Sequence, residues 1–408
     1  MTDCKTQLEE DPNMLRTQEN YDQDIVVANL SETGVARNSC INDLSYFSVV
    51  NNHVRDTMHD MLEGVVPLEV KLILQDLIDE KYFSLEELNY RIGAFSYGFP
   101  DKKNRPSIIK PGSLANPKSA SGQKAAQMQC LFKFLPLIIG DKIPEDVGPY
   151  ELLLSLLEIY KLIIAPSIST AATYSLKSKI KDHHRLFQDL YPDIPLIPKQ
   201  HHLVHYPAII RELGPLSSFS CIRYEGKHKK LKHFAKVSNN FINIEKTIAK
   251  KHQSAQSHEF ILKEDVEFRG IEIHGQGVTD AIELTDAVRE ALGCQPDEKV
   301  IVVKSAVVNG YEYRPNSLVV VTWNSEDPEF GEVQQIVHMN SKVTFVIQPW
   351  KTKYFDHHYH SYAVEKTTNT ELVAKTPSEL GDYRPVHAVN THDERDSNLY
   401  VAVRFMLA

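Results

Sequence analysis

Residues 53–78 of the chain read HVRDTMHDMLEGVVPLEVKLILQDLI, and this stretch decides the fold of the N-terminal half. Its second part has apolar side chains at helical spacing, which predicts an amphipathic helix packed into a core. In its first part, acidic and imidazole side chains recur at offsets that a helix would place on one face. The apolar positions are Leu68, Leu72, Leu74, Leu77 and Ile78, and the polar ones are Asp56, His59, Asp60 and Glu63. A row of candidate metal ligands therefore precedes a buried helix.

The segments around this stretch predict a largely helical N-terminal half. The aromatic and β-branched run LSYFSVV at 44–50 predicts one strand, ending just before the acidic row. Residues 97–122 are rich in proline, glycine, serine and lysine and predict a loop. The predicted helices are 122–139, 149–165, 169–191 with a serine–threonine N-cap, a short one within 198–216, and a long one over 220–254.

After Gly275 the pattern changes from helical spacing to short strand-like runs separated by turn residues. Runs such as KVIVVKSAVV, NSLVVVTW and KVTFVIQPW predict a small barrel or sandwich, preceded by a short helix that ends at Gly293. The predicted class is α+β. The predicted division is a polar leader at 1–43, a helical part at 44–255, a connector at 256–297 and a β-rich, barrel-like domain at 298–408.

Composition restricts the class of protein. The chain has 408 residues, 42% of them hydrophobic, and a formal net charge of −9. No apolar run approaches the length of a membrane span, and the polar start lacks the apolar segment of a signal peptide. The five cysteines are scattered and form no CxxC pair, which favours a reducing, intracellular environment over a disulfide framework. Any affinity for nucleic acid must come from a local patch.

The acidic row at 53–63 has two interpretations. Acidic residues in a first helical turn favour the helix dipole, and on residue types alone this structural interpretation is favoured. Carboxylates that follow a predicted strand can instead hold Mg²⁺ or Mn²⁺, and paired ions of this kind serve phosphoryl transfer. The order of strand, acids and helix favours the metal site.

The segment 221–253 has a local excess of positive charge in an acidic chain. Nine lysine and arginine residues face two acidic residues there, and Tyr224, Phe234 and Phe241 interleave with them. This composition is typical of a surface that follows a nucleic-acid backbone beside a metal-binding glutamate. A solvated amphipathic helix explains the same residues, and the sequence leaves both interpretations open.

Two histidine clusters, HHLVH at 201–205 and DHHYH at 356–360, suggest zinc ligands. In a strand, His358 and His360 would share a face. However, no cysteine pair accompanies them and HExxH is absent, so polar contacts in turns and strands are the favoured interpretation. Dinucleotide, P-loop, nucleophile-elbow and kinase motifs are also absent.

Several phrases resemble the transposase family of CACTA-type (En/Spm-like) DNA transposons, in the form found in animal genomes. They include YFSVVNNHVRDTMHDMLEGVVPLEVKLIL, SGQKAAQMQCLFKFLPLIIGD, IPKQHHLVHYPAIIRELGPL and CIRYEGKHKKLKHFAKVSNNFINIEKTIAKKHQ. The resemblance is strongest over 44–253. It implies a ribonuclease-H-like core with a helical insertion, and an Asp-Asp-Glu set that binds two Mg²⁺ or Mn²⁺ ions and attacks a DNA phosphodiester.

Carried over by motif, the resemblance makes Asp56 the second catalytic acid, Asp60 its alternative and Glu225 the third, with Asp56 and Glu225 as metal ligands. His59 and His228 would be neighbours of these acids. Residues expected to contact DNA phosphates are Arg223, Lys227, Lys229, Lys230 and Lys232. The family's first aspartate lies on an early strand that this chain is expected to lack. The resemblance therefore implies weak, non-specific DNA binding in the nucleus, without strand cleavage.

Two other hypotheses remain. The C-terminal β domain could be a non-enzymatic chromatin or peptide interaction module, with an aromatic cage drawn from Tyr313, Trp323, Phe330, Trp350, Tyr354 and Tyr359. Barrel core is the favoured interpretation of these aromatic residues. A weaker hypothesis is a metal-dependent hydrolase that another chain completes.

Overall fold

The structure is a computed structural model. It describes residues 7–114, 122–239, 241–262, 271–280, 283–295, 297–323, 327–339, 342–367, 371–393 and 396–407. Part of the expected loop, residues 115–121, lies outside the described residues. None of the described helices combines the length and apolarity that crossing a bilayer requires.

Helices form nearly all the regular structure before residue 263. A π-helical segment, Met58–Val65, runs directly into α3. The α-helices are α1 Gln18–Val27, α2 Leu30–Thr33, α3 Val66–Asp79, α4 Leu85–Ala94, α5 Gly98–Asp101, α6 Pro111–Leu114, α7 Ala125–Ile139, α8 Gly148–Ile163, α9 Thr170–Leu190, α10 Pro198–Leu203, α11 Tyr206–Leu213, α12 Ile222–Ser238, α13 Ile244–Leu262 and α14 Asp286–Leu292. We call α3 to α11 the helical body.

The C-terminal part forms one antiparallel sheet. Its strands are β1 Ile271–Asp280, β2 Lys299–Val308, β3 Tyr311–Tyr313, β4 Leu318–Trp323, β5 Pro328–Met339, β6 Lys342–Asp356, β7 Ser361–Lys366, β8 Val373–Lys375, β9 Asp382–Val386, β10 Ala388–Asn390 and β11 Leu399–Val401. The pairing runs β1-β2-β5-β6-β7-β11-β10, with β3, β4, β8 and β9 attached at its sides. Among the described strands this path does not close into a barrel. The predicted α+β class is confirmed.

Local signals predicted several helices well. Ser169 caps α9 as expected, because its side chain accepts the Ala172 N–H at 3.1 Å. Gly293 ends α14 with a φ of 64°, a conformation that favours glycine. The helices α7, α8 and α9 match the predicted ones within a few residues.

Two predicted elements are wrong. The segment 44–50 forms turns instead of a strand, because asparagine side chains bind its backbone donors: Val49 N–H bonds to Asn42 Oδ1 at 2.9 Å, and Ser48 N–H to Asn52 Oδ1 at 2.8 Å. The long helix over 220–254 is broken into α12 and α13. Asn239 ends α12 in a left-handed conformation, with a φ of 45°, which asparagine tolerates better than most residues.

One hydrophobic cluster crosses the expected boundary between the helical part and the β domain, while three others lie within the C-terminal part. The cluster that crosses it contains helical residues such as Phe132 and Leu153 together with Tyr359, Ala363 and Tyr400 of the sheet region. The expected connector, 256–297, contains β1, which pairs with β2 and so belongs to the sheet. Among the described residues of 44–262 the structure has no strand, so the ribonuclease-H-like core stays a prediction.

Buried charges join the helical body to the C-terminal part. Lys133 Nζ lies 2.5 Å from Asp101 Oδ2, and Arg404 Nη2 approaches the other oxygen at 3.5 Å. On α8, Lys161 donates hydrogen bonds to the Nδ1 and the carbonyl oxygen of His360, at 2.8 and 2.9 Å. Lys161 is 1% exposed, and burial lowers its pKa to about 7.

We expect Lys161 to make stability depend on alkaline pH. Its folded pKa lies below the usual lysine value, so between about pH 7 and 10.5 the unfolded chain binds the extra proton and stability rises with pH. Relative to Lys161→Met, the wild type should gain about 2 kcal/mol of unfolding free energy between pH 7 and pH 9. Urea unfolding at the two pH values measures this gain. The exposed control Lys236→Met should change with pH as the wild type does, and parallel curves for Lys161→Met would contradict the prediction.

Candidate functional site

Asp56 caps the π-helical segment. Its Oδ1 accepts the Met58 N–H at 3.3 Å and its Oδ2 accepts the His59 N–H at 3.1 Å. Carboxylates at a helix start bind otherwise unpaired N–H groups in this way. The interpretation of the acidic row as residues that stabilise a helix start therefore explains part of the role of Asp56.

The same carboxylate also holds the start of α12. Asp56 Oδ1 accepts the backbone N–H of Cys221 at 2.8 Å, across 165 residues of chain. Cys221 is the N-cap residue of α12, and Glu225 follows one turn later. The acidic stretch and the basic segment therefore meet at this point.

His59 lies between the acidic side chains. Its Nδ1 makes a close contact with Asp56 Oδ2, while its Nε2 lies 3.7 Å from Glu225 Oε1 and 3.8 Å from Glu63 Oε2. The His59 side chain is 47% exposed, so the cluster is open to solvent. The structure brings Asp56 and Glu225 to opposite edges of one imidazole ring.

The charges in this cluster stabilise one another. The hydrogen bond to Asp56 raises the pKa of His59, and Glu63 and Glu225 add to this effect. Burial alone would raise the pKa of Asp56, but the N–H of Cys221 and the contacts with His59 hold it below its usual value. Partial burial and the neighbouring Asp56 carboxylate raise the pKa of the Cys221 thiol.

Asp60, the expected alternative to Asp56, has different partners. Its carboxylate is 7% exposed and contacts His202 Nδ1 at 3.0 Å. It also accepts the Tyr206 hydroxyl at 3.0 Å. The Asp60 side chain thus links the π-helical segment to α10 and α11.

Lys199 is a neighbour that sequence analysis missed. Its Nζ donates to the carbonyl oxygens of His59 and Glu63, at 2.7 and 3.1 Å. Gly64 makes this approach possible, because a Cβ there would collide with the Lys199 side chain. Cys221 was missed as well, although its position one turn before Glu225 was a visible signal.

Helices α12 and α13 form a surface hairpin, which we call the basic hairpin. No residue of it that the structure describes is buried. Lys229, Lys232 and Lys236 are exposed and share one face of α12. Lys230 is exposed too, and the side chains of Arg223 and Lys227 lie outside the described residues. Large apolar side chains are also exposed, including Tyr224 at 58%, Phe241 at 68% and Phe260 at 69%.

The two histidine clusters have separate partners. His201 and His205 face each other with 3.2 Å between their Nε2 atoms, and His205 Nδ1 lies 2.6 Å from Glu10. The second cluster forms a turn between β6 and β7, so His358 and His360 do not lie in a strand, and the favoured interpretation of polar contacts in a turn fits them. His358 Nε2 lies 2.9 Å from the carbonyl oxygen of Gly140.

The aromatic residues expected to form a peptide cage lie mostly in the core. Tyr313 and Phe330 are 0% exposed, and Tyr359 is 9% exposed. Tyr354 is 44% exposed. The favoured interpretation, that these aromatic residues belong to a core, agrees with the burial of Tyr313, Phe330 and Tyr359, and a closed barrel stays a prediction.

The donors around His59 define what the site could hold. Among the described residues, one group of three metal-ligating side chains has all its donor atoms within 4.8 Å of one another: Asp56, His59 and Cys221. Comparison with family models, with curated proteins and with solved structures finds no match for this chain. Any function must therefore be argued from the site and the surface.

Proposed function

We propose that the protein is a transposase-derived nucleic-acid-binding protein whose basic hairpin follows the phosphate backbone without sequence preference. The observation that carries the proposal is the row of exposed lysines on α12, on a hairpin that buries none of its described side chains. Lysines on such a surface release counterions from phosphates, which gives affinity without sequence information.

The distribution of charge supports this proposal. The whole chain has a net charge of −9, so positive charge is concentrated on the hairpin against an acidic background. An acidic background repels nucleic acid and restricts contact to the hairpin. Tyr224, Phe241 and Phe260 add exposed rings on which unpaired bases can stack. Single-stranded nucleic acid is therefore the preferred ligand.

The relation to CACTA transposases is part of the proposal and rests on the motif order. In this interpretation, 44–255 corresponds to part of a ribonuclease-H-like core with its helical insertion and the helix that bears the final glutamate. The contact between Asp56 and the start of α12 supports it, because it joins the two motif segments. A nuclear location follows from the same proposal.

The site does not fit a magnesium cage. The imidazole ring of His59 contacts Asp56 along one edge. Glu225 lies beyond the other edge of that ring. Mg²⁺ prefers oxygen ligands in octahedral geometry, whereas an imidazole and a thiol lie beside Asp56 here. Binding of Mg²⁺ or Mn²⁺ by Asp56 and Glu225 stays a prediction, and we expect no strand cleavage.

Charge reversal on the hairpin tests the proposal. We expect the wild type to bind fluorescent single-stranded DNA with a dissociation constant of about 10⁻⁴–10⁻⁶ M at physiological salt. Replacing Lys229, Lys232 and Lys236 with glutamate should abolish measurable binding, since three phosphate contacts become repulsive. Fluorescence anisotropy at several salt concentrations measures both the affinity and its salt dependence.

The matched control places the same charge change on the helical body. Lys102, Lys103 and Lys110 are exposed, and their replacement by glutamate should weaken binding only slightly. Equal losses in both triple variants would attribute binding to net charge and reject the hairpin. Mg²⁺-dependent nicking that is lost in Asp56→Ala would overturn the expectation of no cleavage.

A peptide-binding role of the β domain is the second candidate. A cavity of about 550 Å³ is lined by Leu380, Tyr383, Arg384 and Phe405 beside Pro166, and it favours this role. Such a cavity combines apolar walls with a few polar groups, as ligand sites do. Titration with histone-tail peptides tests it: saturable binding that Arg384→Ala weakens supports this role, and absence of binding rejects it for these peptides.

A further inference from the structure

The strongest unassigned chemistry lies at the base of the basic hairpin. Asp56 and His59 come from the start of the π-helical segment, and Cys221 comes from the start of α12. A carboxylate oxygen, an imidazole nitrogen and the thiol sulfur all lie within 4.8 Å of one another. The donors thus converge from two distant segments of the chain.

We propose that Asp56, His59 and Cys221 bind one Zn²⁺ ion, with His59 coordinating through Nδ1. The mixture of donors selects the metal class: thiolate and imidazole suit Zn²⁺, whereas Mg²⁺ and Ca²⁺ prefer oxygen alone. Zinc–ligand bonds are about 2.0–2.3 Å long, so neighbouring donors stand roughly 3–4 Å apart around the ion. The three donor atoms already lie within 4.8 Å of one another, which is close to this range.

The opposite edge of the His59 ring supports coordination through Nδ1. A histidine that binds metal usually donates its other N–H to a carboxylate, which fixes the ring and increases its basicity. Glu225 and Glu63 lie 3.7 and 3.8 Å from His59 Nε2 and are placed for this role. Glu225 is therefore a positioning residue for zinc in this proposal, and the ion does not contact it.

Binding replaces protons with the metal. In the metal-free site Cys221 is a thiol and His59 Nδ1 donates its hydrogen bond to Asp56. Zn²⁺ binds the thiolate and the Nδ1 lone pair, so the thiol proton and the Nδ1 proton are both released to solvent, and the ring keeps its proton on Nε2. Three protein donors leave a fourth tetrahedral position for a water molecule.

The ion would fasten the basic hairpin to the helical body. At this point the hydrogen bond from the Cys221 N–H to the Asp56 carboxylate joins the start of α12 to the π-helical segment. A Zn–S bond to the first residue before α12 would fix the direction in which the hairpin leaves the body. Metal binding to the folded chain alone also stabilises it by mass action.

Substitution with Co²⁺ tests the proposal without nucleic acid. The full chain, stripped with a chelator, is titrated with Zn²⁺ and followed by native mass spectrometry, and with Co²⁺ and followed by absorption. We expect one ion per chain and a thiolate-to-cobalt charge-transfer band. Excess Mg²⁺ should not remove the band, because oxygen-preferring ions compete poorly for a thiolate.

Matched variants assign the ligands. Cys221→Ser should abolish the charge-transfer band and weaken zinc binding by at least about 10–100-fold, while Cys40→Ser, which alters an exposed cysteine outside the site, should change neither. Glu225→Gln should keep the band and weaken binding by about 10-fold. Circular dichroism checks that each variant is folded.

Alkylation of the wild type gives a second readout that needs no variant. Zinc should slow the reaction of Cys221 with iodoacetamide and leave that of Cys40 unchanged, as peptide mass spectrometry can measure. A charge-transfer band retained in Cys221→Ser, or equal alkylation of Cys221 with and without zinc, would overturn the proposal.

Discussion

Replacing Asp101 with alanine is expected to lower the free energy of unfolding by about 3–5 kcal/mol. Asp101 is 7% exposed at the end of α5, and its carboxylate lies 2.5 Å from Lys133 Nζ. Arg404 approaches it from the C-terminal part at 3.5 Å. Without the carboxylate, two largely buried cations remain near each other, and the loss of their shared partner costs more than the intact pair contributes.

Urea unfolding at pH 7 measures the loss, with Asp182→Ala as the control. Asp182 is also a helical aspartate beside a basic residue, but its side chain is 64% exposed, so its removal should cost less than about 1 kcal/mol. The double variant Asp101→Ala, Lys133→Met should recover part of the loss, since one uncompensated cation is removed. A loss below about 1 kcal/mol for Asp101→Ala would mean that the two cations find other partners.

The effect of Asp101 should depend on acidity in a defined direction. Burial raises the pKa of this carboxyl, but Lys133 and Arg404 outweigh burial and hold the pKa below its usual value. The stabilisation is therefore complete above the pKa of an unfolded aspartate and is lost as the pH falls through the lower folded value. The unfolding free energies of the wild type and Asp101→Ala should converge in acid. A difference that persists at low pH would indicate lost packing.

The parts of the fold that sequence predicts are those set by local chemistry. Helical spacing in 65–78 predicts α3, and the Ser169 cap predicts where α9 starts, because both depend on residues within one or two turns. The segment 44–50 has strand-forming composition, but none of the strands that the structure describes pairs with it, and its asparagine neighbours bind its backbone. Asn239 breaks the long basic helix, and helical spacing does not reveal this.

In the candidate site too, sequence predicts the features that depend on local residues and misses those that depend on tertiary contacts. The motif order suggested that Asp56 and Glu225 meet, and the structure brings them to the two edges of His59. The spacing of the row did not reveal that Asp60 turns into the interior toward Tyr206, because a π-helical turn displaces side chains from α-helical positions. The contribution of Cys221 depends on how α12 docks, which is a tertiary property.

Glu69 gives the second large expected effect, because it joins three helices in the interior of the helical body. Its side chain on α3 is fully buried. Oε1 accepts the side-chain amide of Gln200 on α10 at 2.8 Å, and Oε2 lies 3.0 Å from His183 Nε2 on α9. Polar groups at this depth have no water to replace a lost partner.

We expect Glu69→Ala to lower the free energy of unfolding by about 3–5 kcal/mol, since two buried polar groups lose their partner and a cavity forms. Glu69→Gln should cost less, because its amide oxygen can still accept the hydrogen bond from Gln200. The control Glu151→Ala changes an exposed glutamate in the first turn of α8 and should cost less than about 1 kcal/mol. Thermal and urea unfolding of the three variants measure these differences. Equal stabilities for Glu69→Ala and Glu151→Ala would show that the contacts between α3, α9 and α10 depend on apolar packing alone, and that the buried carboxylate adds nothing to it.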